Sequence, residues 1–211
     1  LRGGAYKPRT DPESWEGLGE EGLELLVEIR QITGLPVITE IIDASYIPLF
    51  QKYNIDIYQV GARNGQNFVL LDALSKIDAP VLLKRGDHLS ISEYLLAAKR
   101  VYRGNKNLIL CERGDKTTDE AHRNILNLNN IPIIRQKYHL PIIIDPSHGT
   151  GRRESIKDMS LAGIAAGANG LIIEVHYKPE EAKCDGAQSI NGEFRNLVPK
   201  VREMYNMINN N

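Results

Sequence analysis

The sequence predicts an α/β protein of the (β/α)8 barrel type on three observations: short β-branched strands, helical segments between them at a regular pitch, and polar residues at the strand ends. The strands are PVITE (36–40), DIYQVGAR (56–63), PVLLKRG (80–86), NLILCERG (107–114), PIIIDPSH (141–148) and GLIIEVH (170–176). They are continuously apolar rather than alternating, as parallel strands covered on both faces must be. Successive strand ends lie about 27 residues apart, enough for one strand and one crossover helix. A doubly wound open sheet is the alternative, but it concentrates its chemistry at one or two switch-point loops. A barrel builds its site from the C-terminal ends of all its strands.

Between the strands, Leu18, Leu23, Leu25 and Leu26 lie in a Glu-rich helical stretch ending at Gly34. Asn64 is a cap for a helix through Leu74, and Ser90 or Ser92 for one through Tyr102. Thr117 or Thr118 starts a helix through Leu126, Met159 to Ala166 form a small-residue helix ending at Gly167, and Phe194 to Met207 form the last. Leu1 and Arg2 read as the tail of a further strand running into Gly3 and Gly4. That gives seven strand ends and leaves one strand and most of another, roughly 40 to 50 residues, unaccounted for. The expectation is one barrel domain over residues 1–211, truncated at its N-terminus, with no linker or second domain.

Composition narrows the function. The 211 residues are 42% apolar and 25% charged, with 26 basic against 27 acidic side chains and a net charge of −1. There is no general basic field for nucleic acid, so anions must be met by locally placed cations. Cys111 and Cys184 are too few for a disulfide framework, and no leader or membrane-spanning run is present, which points to the cytoplasm.

The strand ends carry Arg2, Lys7, Arg9, Arg63, Lys84 and Arg113, then His148, Glu174 and, in the loop after the last strand, Asp185. Each cation alone would be an ordinary rim side chain; six at strand ends predict a substrate carrying phosphate, held by arginine forks and lysine point charges. His148, Glu174 and Asp185 suit a divalent cation such as Mn²⁺, Fe²⁺ or Zn²⁺. Their spacing fits equally a histidine on a backbone carbonyl, a glutamate paired to arginine and a turn aspartate. His176 is a weaker ligand, while His88, His122 and His139 are solvated. Cys184 packs, Cys111 faces away from the mouth or into a helix layer, and neither has the neighbouring histidine of a nucleophilic pair. The GGA at 3–5 is a weak phosphate-loop signal.

LRGGAYKPRT, GLGEEGL, LPVITEIID, QVGARNGQNF, PVLLKRG, LILCERG, PIIIDPSHGTGRR and GLIIEVHYKPEEAKCDGAQS, in this order and spacing, resemble the 3-deoxy-D-arabino-heptulosonate 7-phosphate (DAHP) synthases, closest to the compact bacterial and archaeal type. The likeness covers essentially the whole chain. It implies a (β/α)8 barrel that condenses phosphoenolpyruvate with erythrose 4-phosphate, the first step of the shikimate route to aromatic amino acids, in a dimer or tetramer. It implies that Arg2, Arg63, Lys84 and Arg113 hold phosphoenolpyruvate and that Lys7, Pro8, Arg9 and Thr10 hold erythrose 4-phosphate. His148, Glu174 and Asp185 match three ligands of the divalent metal, with Asp185 also facing substrate, and Glu40 matches an acid that positions the attacking water. Lys7, Glu40, Lys84 and His148 form the catalytic set.

KPRT argues against the 3-deoxy-octulosonate 8-phosphate synthases, which use arabinose 5-phosphate and resemble KANRS-type sequences here. The family's fourth metal ligand, a cysteine in a GPCS-like motif on the first strand, has no counterpart in these residues. Two other readings remain: a Schiff-base aldolase using Lys84, which Arg85 and the surrounding cations disfavour, and a truncated binding subunit that completes its sheet with a partner's strand.

Overall fold

The computed structural model describes residues 1–209, and the chain divides into two compact units. The first comprises Leu1–Gly86 and Ser90–Ile109, the second Asp87–Leu89 and the residues from Leu110 onward. No described helix is long and apolar enough to cross a membrane.

In the first unit α1 (Glu20–Thr33) ends at Gly34, as expected from the sequence. Parallel strands follow in β1 (Ile38–Glu40), β2 (Ile57–Val60) and β3 (Val81–Lys84). Glu40 pairs in register with Gln59, and Gln59 with Leu82. Arg2 bridges Ile38 in parallel, so Leu1 and Arg2 do extend the sheet. Between the strands lie α2 (Ile47–Lys52) and α3 (Phe68–Leu74). Asn67, not Asn64, caps α3 through Leu70 N at 3.2 Å, because the Asn64 backbone closes a 3-10 turn before the helix and its side chain is held by the Ile42 carbonyl at Nδ2 and by Asn67 Nδ2 at Oδ1. The next helix, α4 (Ile91–Tyr102), opens with a capping box between Ser90 and Glu93, an arrangement worth about 1 kcal/mol. β4 (Leu108–Glu112) begins in this unit and ends in the other.

In the second unit, Leu110 to Glu112 of β4 pair in parallel with β7 (Ile142–Ile144), which pairs with β8 (Gly170–Leu171). The helix expected after Thr117 is instead an antiparallel pair, β5 (Asp115–Lys116) with β6 (Asn124–Ile125). Thr117 Oγ1 accepts from Asp119 N and Asp119 Oδ1 from Ala121 N, and such local turns compete with helix. The helix of this stretch comes later, as α5 (Asn130–Tyr138). His148 lies on a short helix, α6 (Pro146–Thr150), rather than on the strand. α7 (Arg153–Ala165) starts six residues before the expected Met159, and α8 (Glu193–Asn209) closes the described chain. Ile156 of α7, Ile190 and Leu197 of α8 form a buried apolar cluster with Ile173 and Val201 against it.

α7 lies so close to β7 that only glycine fits at Gly163: a Cβ there would run into Ile144 Cδ1, and Ile144 is fully buried. Gly163→Ala is expected to lower stability by about 1–3 kcal/mol through overpacking. Adding Ile144→Val, which removes that methyl, should recover part of the loss. Urea unfolding of the two single variants and the double variant checks this, and strictly additive losses would contradict it.

Candidate active site

In the first unit the strand register assembles the site. Parallel partners face the same way, and every second residue returns to the same face. The pairings of Arg2 with Ile38, Glu40 with Gln59 and Gln59 with Leu82 therefore put Arg2, Glu40, Gln59 and Lys84 on one face. Tyr58, on the other, packs its ring 5.0 Å from Phe50 of α2. Gln59 links two of these residues: its carbonyl accepts from Arg2 Nη1 and its amide donates to Glu40 Oε2, each at 3.4 Å. Gly61 leaves room for the carboxylate, since a Cβ there would collide with Glu40 Oε1.

Burial pushes the Glu40 carboxyl above its ordinary value, and the positive charges of Lys84, Arg2, Lys7 and Arg63 pull it back. Four cations thus act on one carboxylate. Lys84 is buried, and the Tyr94 hydroxyl of α4 fixes the neighbouring backbone by donating to the Leu83 carbonyl at 2.7 Å. Lys7 folds over Gly4, and its N–H donates to Glu16 O at 2.8 Å. Arg9 Nε is buried without a hydrogen-bond partner in the protein, the condition of a donor suited to an anion. Pro8 is half-buried, while Thr10 and Arg63 are exposed.

In the second unit His148, Glu174 and Asp185 come together, each offering a ligand atom within 4.8 Å of the others. His148 Nε2 is 3.8 Å from Glu174 Oε1 and from Asp185 Oδ2. Asp145 caps α6, with Oδ1 accepting from His148 N at 2.9 Å and Oδ2 lying 2.8 Å from His148 Nδ1. Though short, this ring contact lacks hydrogen-bond alignment. Glu174 lies beyond β8, because its N–H donates to Ser147 Oγ and its carbonyl accepts from Ile190 N, both at 3.0 Å. Asp185 is held in the left-handed region, φ 58°. One imidazole and two carboxylates this close fit a divalent first-row metal, so the triad is a possible metal site.

Arg113 is buried beside β4, with Nη1 3.4 Å from Asp87 Oδ2 and Nε without a hydrogen-bond partner in the protein. Burial lowers its pKa, while Asp145 and Asp87 act in the opposite direction. Cys111 is buried but sits close enough to Arg113 to act on its charge. Glu112 instead faces α5, where its Oε2 accepts from Asn130 Nδ2 at 2.7 Å. Cys184 is half-buried. His176 stays outside the triad: its ring stacks on Tyr177 and its Nδ1 accepts from Lys178 N. The sequence reading missed Gln59 and Arg123, which reach Glu40 and Asp185 from distant parts of the chain, and Asp145 and Gln188, which reach His148 and Asp185 from three residues away. Only Gln59 left a signal, as a buried amide in an apolar strand.

A sequence profile described as the DAHP synthetase I family matches residues 1–210. A phospho-2-dehydro-3-deoxyheptonate aldolase of Thermotoga maritima is 49% identical over 97% of this chain and 61% of its own length. A crystal structure of a phospho-2-dehydro-3-deoxyheptonate aldolase (DAHP synthase) from the same organism superposes with a TM-score of 0.93 at 49% identity, over 99% of this chain and 61% of that one. A 2-dehydro-3-deoxyphosphooctonate aldolase of Syntrophobacter fumaroxidans is 30% identical over 95% of this chain and 73% of its own. The chain therefore spans about three fifths of the length of the Thermotoga relatives.

Because burial raises the Glu40 carboxyl, the folded state holds that proton more tightly than the unfolded state does. Stability contributed by the proton is present in acid and falls as pH rises through the folded pKa. Glu40→Gln cannot ionise, so its thermal midpoint relative to wild type is expected to climb as pH rises through the carboxylate range. A gap that stays constant or narrows contradicts the assignment.

Proposed function

The chain belongs to the DAHP synthetase I family, and from that premise we propose that it carries the catalytic face of an enzyme condensing phosphoenolpyruvate with erythrose 4-phosphate and water, giving DAHP and phosphate. The observation that carries the reading is the Glu40 carboxylate under the charge of Lys84, Arg2, Lys7 and Arg63. A cationic face with one carboxylate suits a substrate bearing both phosphate and carboxylate, attacked by a positioned water.

In this reading Arg2, Arg63, Lys84 and Arg113 bind the phosphate and carboxylate of phosphoenolpyruvate. Lys7 orients the aldehyde oxygen of erythrose 4-phosphate, and Pro8, Arg9 and Thr10 hold its phosphate end. The buried Arg9 Nε supports that role. C3 of phosphoenolpyruvate attacks the aldehyde carbon, whose π pair moves to the carbonyl oxygen and is protonated to the product hydroxyl, leaving positive charge at C2. Glu40 holds the water that adds at C2 and accepts its proton; a carboxylate whose pKa is raised by burial is a better base. Phosphate then leaves by C–O cleavage. His148, Glu174 and Asp185 would hold a divalent ion, Mn²⁺, Fe²⁺ or Zn²⁺, which supplies Lewis-acid polarisation of a carbonyl when bound. Lys84 serves as a charge in this scheme and not as an imine-forming nucleophile. The same reading makes residues 1–211 one barrel domain of a cytoplasmic homo-oligomer.

The test is consumption of phosphoenolpyruvate by the chelator-treated chain with erythrose 4-phosphate, with and without Mn²⁺, and with arabinose 5-phosphate as control. Turnover with erythrose 4-phosphate that depends on Mn²⁺ and is abolished by His148→Ala is expected. Turnover with arabinose 5-phosphate instead, or none with either sugar in a folded chain, would contradict it.

A further inference from the structure

Arg123 and Gln188 of the second unit, which have no role in the reaction outlined above, form a hydrogen-bonded chain that ends on Asp185. Arg123, the residue before β6 of the hairpin, donates from Nη1 to Gln188 Oε1 at 2.9 Å. With its carbonyl committed to the arginine, the Gln188 amide turns its NH₂ to Asp185, donating from Nε2 to Oδ1 at 3.1 Å. Arg123 Nη1 itself lies 3.6 Å from the same Oδ1. The other carboxylate oxygen, Oδ2, is the one 3.8 Å from His148 Nε2. Gln188 is buried, and its backbone N–H and the Ser189 hydroxyl both donate to the Asp185 carbonyl, at 3.1 and 2.9 Å.

The hairpin is docked from the same side. Arg123 N donates to Thr150 O at 3.1 Å, and Asn124 Nδ2 to His148 O at 2.9 Å. Neighbouring residues at the entry to β6 therefore hold the backbone of one candidate ligand and, through Gln188, the carboxylate of another.

We propose that Arg123 and Gln188 are positioning residues that clamp Asp185 by Oδ1, so that Oδ2 is the oxygen presented to a divalent metal beside His148. Arg123 decides which way the Gln188 amide faces: without it the amide can flip and set its oxygen against the carboxylate. Such outer partners of metal-binding carboxylates commonly set affinity, at roughly 10- to 100-fold each. The inference rests on the metal reading of the triad and adds which residues aim it.

The experiment measures Mn²⁺ affinity of the whole chain by electron paramagnetic resonance of free Mn²⁺, for wild type, Gln188→Leu, Arg123→Met and Asp185→Asn, and for Gln188→Leu combined with Asp185→Asn. Far-ultraviolet circular dichroism of each metal-free variant reports the fold. Gln188→Leu and Arg123→Met are each expected to weaken Mn²⁺ binding by roughly 10- to 100-fold with the fold retained. In the Asp185→Asn background, Gln188→Leu should add little, because its effect passes through that carboxylate. Unchanged affinity in both single variants, or an equal loss with and without Asp185, would overturn the clamp alone. Failure of wild type to bind Mn²⁺ would overturn the metal reading and the clamp with it.

Discussion

A charge taken out of water must be met by opposite charge or by donors, and the placement of Glu40 depends on that constraint. Its carboxylate lies on a sheet face where burial disfavours its charge, and Lys84, Arg2, Lys7 and Arg63 act against that penalty. The parallel register makes this possible, because it puts Arg2, Glu40, Gln59 and Lys84 on one side while Tyr58 and Phe50 pack on the other. Gly61 completes the arrangement by leaving the carboxylate its space.

The second unit meets the same constraint with turns instead of strands. Asp145 is almost fully buried and reaches both the backbone and the ring of His148, while Glu112 is satisfied by Gly114 N and Asn130 Nδ2. β8 pairs over only two residues, after which Ser147 and Ile190 supply partners to Glu174 and His176 that a sheet ladder would have given. Leaving the ladder early lets Glu174 and Asp185 approach His148.

Much of this could be read from the chain. The six apolar runs became parallel strands because apolarity on both faces admits little else, and Ser90 capped α4 because its box partner Glu93 stands at the required spacing. Of the polar residues expected at strand ends, Arg2, Glu40 and Lys84 share one sheet face by simple alternation. What stayed hidden depended on competition or distance. Thr117 reads as a helix starter, yet its side chain and that of Asp119 close local turns and the segment becomes a hairpin. Asn64 reads as a cap, yet it closes a 3-10 turn and its side chain is tied to the distant Ile42 carbonyl and to Asn67, which caps instead. Arg123 and Gln188 are 65 residues apart, and nothing local marks them as partners.

The central claim is that the cationic face around Glu40 is a phosphoenolpyruvate site. The most direct measurement is calorimetric titration of phosphoenolpyruvate alone into wild type and Lys84→Met, each first shown to be folded. The account predicts saturable binding to wild type that weakens roughly tenfold or more when the Lys84 charge is removed, the loss expected for a charge-assisted contact. Equal affinity in the two proteins, or no binding by wild type, would contradict it.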